Sequence, residues 1–347
     1  MRSAIKTIIL GMKVFRGYRH PQLANASALT IGNFDGVHRG HQAMLALLKN
    51  EAQHRGVISC VMTFEPHPRD YFAALAKKPE LAPPRIATLR DKLTELAACG
   101  IDQVVVLPFD ARLASQSPEA FINDVLVKGL KAKYILVGDD FRFGAKRAGG
   151  YAMLDAVGQR QGFDVARMNS YEVQSTRVSS SAVRQALGLG DMAQVASLLG
   201  RPYSISGHVV HGRKLGRDLG FRTLNLRFSH WNPAASGIFA VHVFGLDQKP
   251  LIGVANLGIR PSVDANDVNG GRVLLETYCL DWPQALGAEG GYGKIIRVEL
   301  LHKLHDELKY DGLDALKKGI ATDCNDARQF FAQMHSETTR QTTRGRI

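Results

Sequence analysis

Two histidines three residues apart follow a short apolar run and stand at the start of a predicted helix. They are His38 and His41, within the segment GNFDGVHRGHQ at 32–42. On a first helical turn the two imidazoles share one face, and the free N–H groups of that turn favour negatively charged ligands. Gly32 and Gly36 let the backbone approach a ligand closely. The pattern predicts a phosphate-binding site, and it does not fit a zinc protease because HExxH is absent.

A second segment rich in glycine and basic residues is GHVVHGRKLGRDLGFRTLNL at 207–226. Its glycines, with Arg213, Lys214 and Arg217, could surround a polyphosphate. A P-loop kinase is excluded because Arg213 and Lys214 stand where that motif needs Lys followed by Ser or Thr. In isolation the segment is more typical of a glycine-rich turn in a β-barrel.

The elements around the histidine motif alternate between strand and helix. Strands are predicted over 28–34, 57–64, 101–109 and 134–141, and helices over 40–56, 85–100 and 117–130. Such alternation predicts a parallel sheet flanked by helices, which binds ligands at the carboxyl ends of its strands. Three polar motifs follow predicted strands, at 32–42, 63–69 and 137–144.

The second half of the chain has a different pattern of predicted elements. After a predicted connecting helix at 191–200, short β-rich runs are separated by Gly, Pro, Asn and Asp, which favours an antiparallel barrel. A helix is predicted over 306–335. The chain is therefore expected to be α/β, with domains over 12–186 and 187–335. Residues 1–11 and 336–347 are predicted to be disordered tails, and Met12 to open the folded chain.

Composition narrows the class of partner. Of the 347 residues, 44 are Lys or Arg and 32 are Asp or Glu, a net charge of +12 that favours polyanionic partners. Because the basic residues are dispersed, phosphorylated metabolites are favoured over nucleic acid or a membrane surface. No apolar run reaches the ~18 residues of a membrane helix. The four cysteines are far apart and form no CxxC, which fits a reducing, cytoplasmic location.

Four motifs of the first half resemble those of the HxGH nucleotidylyltransferases, specifically of the prokaryotic bifunctional riboflavin kinase/FAD synthetases. HRGH (38–41) matches the signature, and TFEPHPR (63–69) and VGDDFRFG (137–144) resemble the second and third motifs. RVSSSAVRQAL (177–187) resembles the ISSTxIR motif, with Ser181 where threonine is usual. The resemblance implies a Rossmann-like FMN adenylyltransferase domain, in which the phosphate of FMN displaces pyrophosphate from ATP without a covalent enzyme intermediate.

The resemblance also implies roles for individual residues. His38 and His41 would be catalytic, holding the ATP phosphates and stabilising the leaving pyrophosphate. The flavin would contact Phe64, His67 and Phe143. The residues implied to bind ATP are Gly32, Asn33, Phe34, Asp35, His38, His41, Asp140, Ser180, Ser181 and Arg184. Each motif alone has an ordinary explanation, such as a serine N-cap or core phenylalanines, but four in one order favour the resemblance.

The glycine-rich segment of the second half resembles the flavokinase signature G-x-V-x-x-G-x-x-x-G-R-x-L-G-F-P-T-A-N. Thr223 and Asn225 would then be ligands of Mg²⁺ bound with ATP, since hard oxygen ligands suit that ion. Glu276, in LLETYCLD (274–281), would be the general base that takes a proton from riboflavin, although most strand glutamates simply face solvent. The residues implied to bind ATP are Gly207, Val209, Gly212, Lys214, Gly216, Phe221, Thr223 and Asn225.

Two departures from the flavokinase pattern leave alternatives open. Arg222 replaces the usual proline, and His305 stands where arginine is more common. The expected function is synthesis of FMN from riboflavin and of FAD from FMN, both with ATP and Mg²⁺, with no nucleic-acid or membrane partner and an open oligomeric state. The alternatives are an FAD synthetase with an inactive barrel, and a basic nucleic-acid-binding protein.

Overall fold

The computed structural model describes residues 7–9, 11–173, 176–211, 221, 223–228, 232–260, 272–287 and 289–344. Two compact units are present. The first contains Met1–Pro83 and Leu89–Ala182, and the second contains Pro84–Thr88 and Val183–Ile347. Each unit is built around its own sheet.

The first unit contains a seven-stranded sheet in the order β1-β2-β5-β4-β3-β6-β7. Its strands are β1 (Thr7–Ile9), β2 (Met12–Arg16), β3 (Ser27–Ile31), β4 (Ile58–Glu65), β5 (Gln103–Pro108), β6 (Ala132–Gly138) and β7 (Asp164–Met168). Only the β1–β2 pair of this sheet is antiparallel; the pairs from β2 to β7 are parallel. A short hairpin follows, formed by β8 (Glu172–Val173) and β9 (Thr176–Arg177).

Helices connect the parallel strands, as predicted. They are α1 (Arg39–His54), α2 (Pro68–Leu75), α3 (Leu89–Ala98), α4 (Ala111–Ala114), α5 (Pro118–Ala120), continued by a π-helix over Phe121–Gly129, α6 (Tyr151–Gln161) and α7 (Ser180–Leu189). α5 begins at the predicted cap, since the side chain of Ser117 accepts from the N–H of Ala120 at 3.2 Å. α7 begins in the first unit and ends in the second.

The central strands read as continuous apolar runs because both faces of the sheet are covered. One core cluster includes Leu29 and Val105, and the cluster on the other face includes the adjacent residues Ala28 and Val104. All four side chains are fully buried. The parallel sheet with flanking helices is therefore confirmed, and its carboxyl edge carries the predicted motifs.

The predicted helix over 85–100 is shorter at its start than expected. Arg85 instead belongs to the second unit and pairs with a segment of that unit. Its N–H donates to the Asn232 carbonyl at 2.6 Å, and its carbonyl accepts from the N–H of Ala234 at 3.0 Å. α3 therefore begins only at Leu89. The local helical pattern is overridden by a pairing distant in sequence.

The second unit contains the predicted antiparallel barrel, closed in the order β10-β11-β14-β13-β12-β15. Its strands are β10 (Tyr203–Val210), β11 (Thr223–Phe228), β12 (Gly237–Phe244), β13 (Leu251–Arg260), β14 (Arg272–Cys279) and β15 (Ile295–His305). α8 (Met192–Leu199) precedes the barrel, and α9 (Leu313–Arg344) follows it. No helix in the described part of the chain combines the length and apolarity needed to cross a membrane.

Alternate residues of the barrel strands face opposite sides. One row across four strands is completely or almost completely buried, and it consists of Leu224, Thr277, Ala255 and Phe239. On the opposite side of the strands, Val254 and Ala240 pack with Ala327 and Phe331 of α9. α9 thus covers part of the outer surface of the barrel.

The predicted disordered tails differ from the structure at both ends. Thr7–Ile9 pairs with β2 as an antiparallel edge strand. At the other end α9 continues to Arg344, since the polar segment after residue 335 contains no proline or glycine until Gly345. The structure gives these residues regular secondary structure where the sequence predicts disorder.

A chain that begins at Met12 should be less stable, because β2 then loses its antiparallel neighbour. We expect the Tm to fall by roughly 2–8 °C, since each lost backbone hydrogen bond contributes about 0.5–1.5 kcal/mol. Thermal unfolding followed by circular dichroism measures this. A chain that begins at Thr7 keeps β1 and is the matched control. Equal Tm values for the two shortened chains would contradict the assignment of β1 to the sheet.

Candidate active sites

The loop after β3 is fastened to the neighbouring strand β4 by two hydrogen bonds. The N–H of Gly32 donates to the Met62 carbonyl at 3.1 Å. The hydroxyl of Thr63 donates to the Asn33 carbonyl, also at 3.1 Å. The carboxyl end of the strand therefore fixes the position at which the loop leaves the sheet.

The turn that follows adopts an unusual backbone conformation. Phe34, Gly36 and Val37 all have positive φ, at 48°, 85° and 41°. For the two side-chain-bearing residues this costs on the order of 1–3 kcal/mol each, and it persists only where the surroundings impose it. Phe34 and Val37 are each 1% exposed, so packing of their side chains holds the turn.

His38 caps α1 and lies directly against His41. The N–H of His41 donates to Nδ1 of His38 at 3.3 Å, so the neutral ring of His38 carries its proton on Nε2. The two imidazoles are stacked, with centroids 3.6 Å apart and planes 15° from parallel. A Cβ on Gly40 would lie 3.3 Å from the ring of His38, which explains the glycine of HRGH.

His41 is held in its neutral form. Burial, followed by the charges of His38 and Lys92, places its pKa well below the ordinary value of 6.5. Its Nδ1 is buried and has no hydrogen-bond partner among the described residues. A neutral imidazole with an unsatisfied ring nitrogen beside a helix N-terminus is suited to bind a phosphate oxygen.

The start of α7 meets this loop. Ser179 caps the helix by accepting from the N–H of Ala182 at 3.2 Å. The hydroxyl of Ser180 donates to the Asp35 carbonyl at 3.0 Å. The structure thus brings the first and fourth predicted motifs together, and it gives the capping role to Ser179, which sequence analysis did not single out.

The other two candidates on α7 make different contacts. Ser181 is exposed. Arg184 belongs to the second unit, where its Nε donates to the Pro84 carbonyl at 2.6 Å. Their predicted contact with ATP stays a prediction.

The two acidic residues after β6 are in different situations. Asp139 accepts from the Ser170 hydroxyl at 2.7 Å, which lowers the pKa of its carboxyl, and it lies 3.5 Å from Arg177. The side chain of Asp140 is exposed, and no hydrogen bond or ion pair holds its carboxylate among the described residues. Asp140, the predicted ATP contact, is therefore the one with an available carboxylate.

The three residues predicted to contact the flavin are placed unequally. Phe64 is half-buried at the end of β4. His67 is buried and caps α2, with its Nδ1 accepting from the N–H of Arg69 at 3.1 Å. Phe143 is 7% exposed and belongs to the hydrophobic core, where its ring lies 5.4 Å from that of the more exposed Phe141.

An aromatic cluster at the same sheet edge was missed by sequence analysis. Phe109, just after β5, makes edge contacts with Phe64, Tyr71 and Phe72 at 5.8, 5.5 and 5.7 Å between centroids. Phe72 is 49% exposed. The available signal was the position of Phe109 at the end of a strand. The cluster offers an apolar surface for a planar ring.

In the barrel, three side chains with terminal oxygens form a row across adjacent strands. Asn225 on β11 lies opposite Glu276 on β14, and Glu276 lies opposite Asn256 on β13. Cross-strand partners have Cβ atoms about 4.5–5.5 Å apart and share a face. Thr223 is on the same face of β11, two residues before Asn225. The barrel therefore groups the three predicted residues Thr223, Asn225 and Glu276, and adds Asn256.

This row fits a hard divalent cation. Oδ1 of Asn225 and Oδ1 of Asn256 are buried and have no hydrogen-bond partner among the described residues. Each such oxygen costs about 1–3 kcal/mol unless a ligand compensates it. Oxygen atoms from amides, hydroxyls and carboxylates are the ligands such cations prefer.

The remaining kinase candidates are only partly described. Gly207 and Val209 lie on β10, opposite Ile296 and Leu226. The ring of Phe221 makes an edge contact with Tyr278 at 5.3 Å and packs against the core beneath α9. Gly212, Lys214, Gly216 and the divergent Arg222 lie outside the described residues.

His305 joins the end of β15 to α9. Its Nε2 lies 2.8 Å from Oδ1 of Asp323, and its Nδ1 lies 2.7 Å from the Asp306 carbonyl. Burial lowers the pKa of His305, but the hydrogen bonds to Asp323 and Asp306 and the charges of Asp323 and Asp326 outweigh it, so the net pKa is above 6.5. The imidazole can thus carry the charge expected from the usual arginine.

Comparisons with known proteins match each unit to a family. A model for FAD synthetase matches residues 20–182, and a model for riboflavin kinase matches residues 199–331. The chain is 44% identical over 322 residues to the bifunctional riboflavin kinase/FMN adenylyltransferase of Escherichia coli K12, covering 92% of this chain and 98% of that one. The chain belongs to this bifunctional family.

Further members of the family and one solved structure are also similar to this chain. The riboflavin kinase/FMN adenylyltransferase of Haemophilus influenzae is 40% identical, covering 92% of this chain and 99% of that one. That of Pseudomonas fluorescens is 42% identical, covering 87% and 92%. A structure described as a macrolide-efflux protein from Streptococcus pneumoniae superimposes with a TM-score of 0.71 at 24% identity, covering 91% and 98%. That likeness shows the fold alone.

The His305–Asp323 pair predicts a pH-dependent stability. A histidine whose pKa is raised in the folded state stabilises the protein below its unfolded pKa of about 6.5, and this contribution is lost as the pH rises through the folded pKa. The stability advantage of the wild type over His305→Gln should therefore be larger at pH 6 than at pH 8. Thermal unfolding across this range measures it. In Asp323→Asn the advantage of histidine over glutamine should shrink, and an advantage that grows with pH would contradict the assignment.

Proposed function

We propose that this chain phosphorylates riboflavin with ATP to give FMN, and then transfers AMP from a second ATP to FMN to give FAD and pyrophosphate. Its membership of the bifunctional family supports both steps. The observation that carries the proposal is that each unit presents its own group of unsatisfied polar atoms. These are the ring nitrogen of His41 in one unit and the amide oxygens beside Glu276 in the other.

For adenylyl transfer, the chain's contribution is positioning and charge neutralisation. A phosphate oxygen of FMN attacks the α-phosphorus of ATP. The bond between the α-phosphorus and the oxygen that bridges it to the β-phosphorus breaks, and pyrophosphate leaves. His38 and His41 donate hydrogen bonds to the phosphate oxygens. The backbone around Asp35, held by Ser180, positions the triphosphate, and Phe64 and His67 lie on the flavin side.

For riboflavin phosphorylation, Glu276 is the general base. It takes the proton from the ribityl 5′-hydroxyl, whose oxygen attacks the γ-phosphorus of ATP, and ADP leaves. Thr223 and Asn225 would hold Mg²⁺, which would neutralise the negative charge of the ATP phosphates. Glu276 is half-buried, and the strand register places it between Asn225 and Asn256, which supports this role.

We assign the adenylyltransferase to residues 12–186 and the kinase to residues 187–335. The family matches at 20–182 and 199–331 support this division. The four cysteines are free, which fits a reducing cytoplasm.

Replacing both histidines should separate the two activities. In His38→Ala combined with His41→Ala, FAD formation from supplied FMN should fall below detection, because two donors to the phosphates are lost. FMN formation from riboflavin should stay within twofold of the wild type. Chromatographic separation of the flavins measures both. His54→Ala, an exposed histidine at the end of the same helix, is the control; loss of both activities in the double variant would contradict the separation.

Glu276→Gln should give the opposite result. The amide keeps the size of the side chain and its hydrogen bonding but cannot accept the proton, so riboflavin phosphorylation should slow by about 10²–10⁴. FAD formation from supplied FMN should be unchanged. Glu299→Gln, on β15 of the same barrel, is the matched control. If Glu276→Gln phosphorylates riboflavin at the wild-type rate, Glu276 is not the base and the solvent-facing alternative is correct.

A further inference from the structure

A lysine is completely buried in the first unit. Lys92 on α3 has 0% exposure, although Arg90 on the same helix is exposed. Lysine is almost never fully buried, because removing an ammonium group from water costs several kcal/mol unless its surroundings compensate. A side chain retained at such cost is a candidate for a role in the nearby site.

Lys92 is connected to the proposed ATP-binding loop by two successive hydrogen bonds that share the hydroxyl of Thr63. Its Nζ donates to Oγ1 of Thr63 at 3.4 Å. The same hydroxyl donates to the Asn33 carbonyl at 3.1 Å. Accepting from Lys92 orients the hydroxyl of Thr63 toward the loop, so the ammonium group determines how firmly Asn33 is held.

Lys92 also acts electrostatically on His41. After burial and the charge of His38, the charge of Lys92 is the third cause that lowers the pKa of His41. His41 is thus influenced by His38 from its own helix start and by Lys92 from α3. The positive charge of Lys92 would attract the phosphates of a bound nucleotide.

We propose that Lys92 is a positioning residue of the adenylyltransferase site, which holds the Asn33 loop through Thr63 and places a positive charge beside the stacked histidines. The inference rests on the function proposed for this unit. The loop turn contains two strained residues, Phe34 and Val37, so a fixed attachment at Asn33 limits its relaxation away from the binding geometry. Together with burial and His38, the charge of Lys92 keeps the pKa of His41 low, so that the neutral ring binds phosphate by hydrogen bonding.

The main test is Lys92→Met, which keeps most of the length of the side chain and removes its charge. We expect kcat/KM for ATP in FAD formation to fall about 10²-fold, the scale of a small displacement of positioning groups. The NMR titration of His41, assigned by its loss in His41→Asn, should move toward higher pH. Riboflavin phosphorylation, measured on the same full-length protein, should be unchanged. Arg90→Met removes an exposed charge from the same helix and should alter none of these.

Thr63→Val tests the hydrogen-bonded connection separately. It removes the hydroxyl but keeps the charge, so FAD formation should fall while the titration of His41 stays in place. Thr63→Ser should restore the rate. If Lys92→Met does not fold, this pair of variants decides the positioning role alone.

Wild-type kinetics and an unmoved His41 titration in Lys92→Met would overturn the inference, as would full activity of Thr63→Val. A wild-type protein that forms no FAD would instead contradict the proposed function. The His41 titration and its response to Lys92→Met would then still test the electrostatic part.

Discussion

The hydrogen bond from the Ser180 hydroxyl to the Asp35 carbonyl joins two segments that lie 145 residues apart in the chain. It fixes the beginning of α7 against the turn that leads into α1. Two helix N-termini, which favour negatively charged ligands, are thereby placed around one loop. The arrangement of the proposed adenylyltransferase site depends on this contact, because neither helix start alone can surround a triphosphate.

The loop between β3 and α1 is held by several weak interactions and not by a single strong one. Backbone bonding at Gly32, the hydroxyl of Thr63 and the packing of Phe34 each restrict it. Their combined effect keeps a turn with positive φ values in the orientation that stacks His38 on His41. Such preorganisation avoids the cost of reordering the site when charged ligands arrive.

In the barrel, the register of the strands brings the polar residues of the proposed kinase site together. Antiparallel pairing places Asn225, Glu276 and Asn256 side by side, so no loop is needed to bring the three oxygens together. The buried amide oxygens are destabilising by themselves. Closure of the barrel and the apolar row on the opposite side of the strands hold these residues in place.

The sequence alone determined the parallel sheet, the antiparallel barrel and the motif residues, because strand alternation, helix caps and glycine spacing are local properties. It could not determine that the predicted helix at 85–100 begins at Leu89, since Arg85 pairs with residues that lie far away in the chain. Nor could it separate Phe143 in the core from Phe109 at the sheet edge, because both are phenylalanines that follow strands. Burial of Lys92 and its connection to Asn33 were likewise decided only by tertiary structure. An amphipathic pattern predicts that a lysine lies on the surface, and only the packing of distant elements shows where its ammonium group lies.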